Sequence, residues 1–503
     1  MAFIDARTLP EATRIDADLI LIGGGLANIA IAKQWAGAGK TVAILESGGH
    51  EMDEETQTLY AGAGLIRAPG NPDRNIDDYV VQSRGRWYGG SGNIWGGKCV
   101  PLDESDFARR DWLGRTGWPV TRAQMQPYYD RACDVLEIPR FNRDYDRDPD
   151  PARPPLPIGD AFFAAPRLYS PLSGGVDPAR FDAWRNDFIN AASNIRVYLH
   201  ANVVNIRLRG NGRDVEALDV ACLNGRRHSA RGRAYVLGTG GIENVRLLLA
   251  SGGIGNHSDL LGRCFMGHVT FGVYQNAEGL NTALCISDGH SMSLYMDNNR
   301  SEHCVVAATL EGQRRFNTGN FTTTMFDANE ASNPEDAALL ALAGKLDNGG
   351  ARQHPCFFMS EQLPNLDSRI TLLPEHTDPL GMPRVFLDWV YSERDLDILD
   401  RSIAALGDAL GAASKGRIRW PVARENLVSI LRASRHHMGA TRMSADPEHG
   451  VVDENCRVHG LRNLYINGCS VFPTSGIANP TLTIIALSLR LADHLKRQMG
   501  MRA

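Results

Sequence analysis

The chain has 503 residues, 43% of them hydrophobic and 22% charged, with a net charge of −5. That length has room for two or three domain-sized cores, and the acidic balance gives no basic footprint for nucleic acid. No apolar run is long enough to span a bilayer, and Met1-Ala2-Phe3-Ile4-Asp5-Ala6-Arg7 lacks the features of a secretory signal, so a cytoplasmic protein is expected.

In chain order, residues 18–22 are a short apolar run that stops at glycines, the pattern of a buried parallel strand. Residues 26–38 follow as a helix and 41–46 as a second strand, making a βαβ unit of the dinucleotide-binding kind. Residues 52–86 are largely polar and are expected to wrap the nucleotide, partly as loops. Residues 148–157 carry five prolines and form the clearest linker. Asp177-Pro178 fits an N-cap followed by proline, opening a helix over 178–192. Residues 195–208 read as strand, 234–238 as another buried strand, and the helix after it runs through 250. From 269 to 373 apolar and polar residues alternate in places, as in a mainly antiparallel sheet. An acidic, Ala/Leu-rich insertion at 329–350 interrupts this region as either a lid or a surface excursion. Residues 395–413 and 481–499 are expected to be helical. No repeat occurs at solenoid periods.

Nine cysteines without a Cys-x-x-Cys favour reduced, buried thiols over disulfides or zinc. His303-Cys304 has no second pair at ligand spacing, so no metal site is expected.

Three glycine-rich turns point to a nucleotide. Gly23 and Gly25 lie in the turn Gly23-Gly24-Gly25-Leu26-Ala27-Asn28. Gly23 permits a tight turn, and Gly25 lets backbone N–H groups approach a pyrophosphate at the helix start. Asn28 replaces the third glycine of the usual fingerprint, which predicts a slightly looser contact between helix and strand. Glu46, at the end of the second strand, is placed to accept from a ribose diol. Gly89-Gly90-Ser91-Gly92-Asn93-Ile94-Trp95-Gly96-Gly97 can lie flat against a ring system. Gly238-Thr239 opens the third turn.

The C-terminal end is the most informative part. It holds Ser434-Arg435-His436-His437-Met438-Gly439-Ala440-Thr441-Arg442-Met443, then Asn467-Gly468, then Asn479-Pro480-Thr481. Removing a proton from an alcohol needs a positioned base, and imidazole titrates near working pH. An amide beside it can hydrogen-bond the developing alkoxide without competing for its proton. Adjacent histidines leave His437 as an alternative to His436, with support of its neighbour as its other role. Asn479-Pro480 also reads as the N-cap and first residue of the last helix, whose positive end suits an anionic ring.

Together these segments resemble the glucose–methanol–choline (GMC) oxidoreductases. So do Gly117-Trp118-Pro119, Pro127-Tyr128-Tyr129, Glu361-Gln362-Leu363-Pro364-Asn365, Ser368-Arg369-Ile370 and Gly381-Met382-Pro383. The resemblance implies an α/β FAD-binding Rossmann-type domain (p-hydroxybenzoate-hydroxylase-like) at 1–155, 190–268 and 435–503. It also implies an α+β substrate domain with a large, mainly antiparallel sheet at 156–189 and 269–434. His436 matches the family's catalytic histidine and Asn479 its partner. The FAD contacts implied are Gly23, Gly25, Leu26, Ala27, Glu46, Gly89, Gly90, Asn93, Ile94, Trp95, Val203, Gly238, Thr239, Gly468, Asn479, Pro480 and Thr481. Ile94 stands where some relatives carry a histidine bonded covalently to flavin, so dissociable FAD is expected; Cys99 is the nearby nucleophile left open. The C-terminal block looks most like bacterial members acting on sugars, glycosides or cyclitols, including the pyranose-oxidase-like group. A small-molecule alcohol would be the substrate, and oxygen, a quinone or another carrier the electron acceptor. Oxidation of a non-sugar alcohol, a non-redox lyase on the same fold, and a degenerate FAD-binding protein motivated by Asn28 remain as alternatives. The sequence leaves the oligomeric state open.

Overall fold

The computed structural model describes residues 2–141, 158–271, 274–276, 279–281, 284–287, 302–325, 352–419, 424–431 and 433–502. The linker expected at 148–157 and the insertion at 329–350 lie outside them, as do the side chains of His303-Cys304.

The continuous apolar runs become the centre of a six-stranded parallel sheet, because such runs bury both faces. Its order is Phe3–Asp5, Ile195–Leu199, Val42–Leu45, Leu19–Ile22, Ala234–Leu237, Leu464–Ile466. The register pairs Ile22 with both Leu45 and Leu237, and Leu237 with Ile466. The residues that follow these strands, Gly23, Glu46, Gly238 and Asn467, therefore lie side by side along one carboxyl edge, where open α/β sheets bind ligands.

Four elements differ from expectation. The first helix is Leu26–Trp35 rather than 26–38, because Gly37 and Gly39 both take a left-handed φ of 73°. The run 195–208 is two strands in two sheets. His200, at φ 55°, turns the chain out of the parallel sheet, and Asn202–Leu208 joins Val215–Ala221, Arg227–Arg231 and Arg14–Asp16. Between 52 and 86, Ala63–Arg67 pairs in parallel with Pro383–Val390, so this region holds more regular structure than its polarity suggests. The long helix Glu393–Ala412 starts two residues early, at a reciprocal cap between Ser392 and Asp395.

A second large sheet has eight strands. Its path is Gly416–Arg419, Leu284–Ser287, Arg352–Glu361, Phe321–Met325, Glu302–Ala308, Phe162–Tyr169 and Lys98–Cys99, with His268–Phe271 also pairing Arg352–Glu361. Every pairing in it is antiparallel. The C-terminal helix Thr481–Gln498 packs its apolar face on Arg122–Val135 and Leu26–Trp35. Arg131 bonds Asp493 across that contact at 2.6 Å.

Candidate active site

The carboxyl edge of the parallel sheet opens into a cavity of about 410 Å³. Gly23 turns into it at φ 92°, and a side chain there would meet Gly238 O at 2.7 Å, so only glycine serves. Gly25, Leu26 and Ala27 line the wall where the first helix begins, and nothing lies within 4 Å of where a Gly25 Cβ would sit. Glu46 also lines it, buried. Its Oε2 accepts from Gly24 N–H at 2.7 Å and its Oε1 from Gly48 N–H at 2.9 Å. Burial pushes the Glu46 carboxyl up, against the pull of these backbone donors.

The expectation of a looser contact at Asn28 is corrected. Asn28 is fully buried, and its Nδ2 donates to Ile22 O at 2.9 Å and Gly23 O at 3.0 Å. Its Oδ1 accepts from Asn467 Nδ2 at 3.3 Å. The room comes from across the sheet, since a Cβ on Gly238 would stand 2.6 Å from the Asn28 amide. The side chain fills the helix–strand contact and ties two strand ends together, those before Gly23 and Asn467.

In the second glycine loop, Gly90, Ile94 and Trp95 line the cavity, whereas Gly89 and Asn93 do not. The last two hold the loop instead. Gly89 N–H donates to Gly24 O at 2.8 Å. Asn93 donates to Tyr88 O and Gly90 O at 3.1 and 2.8 Å and accepts from Arg185 at 2.9 Å. Cys99 is fully buried outside the lining, and burial raises its thiol pKa. Val203, Gly238, Thr239, Gly468, Asn479, Pro480 and Thr481 line the cavity.

A buried ionic cluster in the wall escaped the sequence reading. Glu243 meets Arg86 and Arg246 at 3.0 Å each and Arg84 at 3.4 Å, and Arg246 meets Asp378 at 2.7 Å. The guanidinium groups of Arg84 and Arg86 lie 3.8 and 4.7 Å from the Tyr60 ring centroid. Burial alone would push the Glu243 carboxyl up, but Arg246, Arg86 and Arg84 outweigh it and bring it to about 2. Arg84-Gly85-Arg86 just ahead of the glycine loop was the one available signal.

At the chemical end, residues 434–440 are fastened to 262–268. Met266 and Met438 exchange two backbone hydrogen bonds of 2.9 Å, and Gly262 N–H donates to Ala440 O at 2.8 Å. Gly439 has φ 85°, and any side chain there would overlap Cys264 O, which explains the glycine three residues after His436. His436, His437 and Asn479 all line the cavity. His436 Nδ1 lies 2.8 Å from His268 Nδ1, with the rings at 83°. His437 is 7% exposed, with Nε2 at 3.0 Å from the Tyr79 hydroxyl and 3.2 Å from Ser83 Oγ. Burial, then Arg84, His436 and Arg435, push its pKa down to about 3. The last helix begins one residue later than expected: Pro480, rather than Asn479, occupies the cap position, at φ −70°. Asn479 thus precedes the cap residue.

Residues 364–488 match the family model described as GMC oxidoreductase. That stretch is similar to the C-terminal domain of the GMC oxidoreductases. The chain is 27% identical to 6'''-hydroxyparomomycin C oxidase of Streptomyces lividus over 95% of this chain and 92% of that protein. It is 24% identical to 2-methyl-1,2-propanediol dehydrogenase of Mycolicibacterium austroafricanum over 96% of each. Pyridoxine 4-oxidase from Mesorbium loti has the same fold, with a TM-score of 0.58 at 17% identity, covering 95% of this chain and 99% of that one. The family match and the likeness to these oxidases and dehydrogenases support an oxidoreductase with FAD as its cofactor. The wall fits that cofactor: the space beside Gly25 is open, and Arg86 Nε is buried in the wall without a hydrogen-bond partner. Among the described residues, no helix is long and apolar enough to cross a membrane.

Proposed function

We propose that this chain oxidises a hydroxyl group of a sugar, glycoside or cyclitol, with His436 as the base and FAD held without a covalent bond. The observation that carries the proposal is one continuous cavity. Its wall includes the Gly23–Gly25 turn and Glu46 at one part and His436 with Asn479 at another. The half built on the parallel sheet (1–155, 190–268 and 435–503) would hold the cofactor, with Gly25, Leu26 and Glu46 toward its nucleotide. The half built on the antiparallel sheet (156–189 and 269–434) would hold the substrate.

Bound FAD supplies the hydride acceptor. The His436 imidazole takes the proton of the substrate hydroxyl, the step an unassisted alcohol makes slowly because it is a weak acid. The Asn479 amide donates to the same oxygen and stabilises its developing charge. The start of the helix Thr481–Gln498 borders the cavity and favours negative charge there. His437, buried and neutral at pH 7, anchors its segment through Tyr79 and Ser83. Ile94 offers the cofactor no nucleophile.

The sugar-type substrate is supported by the form His-His-Met-Gly-Ala-Thr-Arg-Met and by the likeness to the 6'''-hydroxyparomomycin C oxidase. A second reading, a small non-sugar alcohol, is favoured by the likeness to the diol dehydrogenase. Anaerobic bleaching of the yellow protein against sugars, glycosides, cyclitols and simple alcohols separates them. Bleaching by the first three classes is expected. Bleaching only by simple alcohols selects the second reading, and yellow protein that none of them bleaches overturns both in favour of a non-redox lyase.

A further inference from the structure

His268 stands directly behind His436. It begins the strand His268–Phe271, whose register sets it opposite Glu361. Its main chain is held from the other side as well, by donation of its N–H to Ser434 Oγ at 2.9 Å. The side chain is fully buried. Its two ring nitrogens have different neighbours: Nε2 lies 3.4 Å from the carbonyl oxygen of Ser475, and Nδ1 lies 2.8 Å from Nδ1 of His436. That carbonyl is itself fixed, because the Ser475 hydroxyl donates to Gln362 O at 3.0 Å and accepts from Gln362 N–H at 3.1 Å.

These contacts assign the protons. A carbonyl oxygen only accepts, so the ring proton of a neutral His268 belongs on Nε2 and its Nδ1 carries a lone pair. Two imidazole nitrogens 2.8 Å apart share one proton. With His268 Nδ1 bare, that proton is on His436 Nδ1. We propose that His268 is a positioning residue that fixes His436 as its Nδ1–H tautomer, leaving the lone pair on Nε2 to accept the substrate's hydroxyl proton. The proposal rests on the reading of His436 as the base. It follows the general rule that the hydrogen bond at one ring nitrogen decides the chemistry of the other.

The test is nitrogen NMR of FAD-loaded protein labelled with ¹⁵N-histidine, with the His436 signals identified by their loss in His436→Gln. The expected result is a protonated Nδ1 and a bare Nε2 on His436. In His268→Leu the two tautomers should mix, and anaerobic flavin reduction should slow by roughly 10²–10⁴, the usual worth of a correctly set base. Half-saturation by substrate should change little. In His268→Asn, whose side-chain oxygen supplies an acceptor for the His436 Nδ1 proton, the tautomer and most of the rate should return. A wild-type His436 protonated on Nε2 overturns the proposal. So does an unchanged tautomer in His268→Leu, whatever its rate. If His268→Leu does not fold, the wild-type and His268→Asn spectra still decide. If His436→Gln reduces flavin at the wild-type rate, the base assignment fails, while the NMR result still decides what His268 does to its neighbour.

Discussion

Restoring the usual third glycine should weaken this protein. Asn28→Gly makes the first turn look more like a standard dinucleotide fingerprint, yet the buried Asn28 side chain makes three hydrogen bonds, to Ile22 O, Gly23 O and Asn467 Nδ2. At about 1 kcal/mol net for each neutral bond, the substitution costs about 3 kcal/mol. The helix adds a few tenths more, since glycine is a poorer helix former than asparagine. Asn28→Ala should lose the same bonds but recover part of that helix cost, so it should be the milder variant. Urea unfolding of the FAD-free protein measures both, with FAD titration as a second readout. The cradle residues Gly23 and Gly25 are untouched, so FAD affinity should fall much less than stability. An Asn28→Gly protein as stable as the wild type, or more stable, would refute the reasoning.

Other expectations follow from the site. Acid or denaturant should release free FAD from the yellow protein; flavin that stays with the denatured chain would show a covalent link. His436→Ala should slow anaerobic flavin reduction by roughly 10²–10⁴ while bound FAD keeps its spectrum; Asn479→Ala should slow it without removing its pH dependence, because an amide does not titrate. Glu243→Gln should destabilise the protein by about 3 kcal/mol at pH 7, the worth of a carboxyl held at about 2 instead of its ordinary 4.5. The depressed value means that this stabilisation is present above pH 4.5 and is lost as pH falls toward 2, so wild type and variant should converge in acid on urea unfolding curves. His437 adds a second acid-sensitive term: with its pKa at about 3 in the fold and near 6.5 when unfolded, it loses stability as pH falls from about 6.5 to 3. His437→Gln should remove that part of the slope.

The half built on the parallel sheet was legible because its signals are local. The apolar runs at 19–22, 42–45 and 234–237 each announce a strand buried on both faces, and each stops at a residue that must lie at the carboxyl edge. A parallel register then assembles Gly23, Glu46 and Gly238 with no further information. The motif around His436 is local too, and Gly439 has a steric reason for its position. Boundaries slipped where a single backbone angle decided them, at Gly37 and at His200. Asn479-Pro480-Thr481 slipped by one residue because proline tolerates both the cap and the first helical position.

What stayed illegible depends on partners far away in the chain. Glu243 finds Arg86 across 157 residues, and His268 finds His436 across 168. Neither partner carries a pattern that names the other. Asn28 shows why local motif logic can reverse the sign of an effect. Judged against the fingerprint alone, it is a missing glycine and predicts a weaker contact. In the fold, the space that a glycine at 28 would have provided is provided by Gly238 on the neighbouring strand, and the larger side chain becomes a connector to Asn467. The requirement at this corner is a fixed volume between two elements, and the sequence can meet it from either side. A broken fingerprint is therefore weak grounds for a degenerate site: the compensating residue has to be sought across the sheet before the loss is counted.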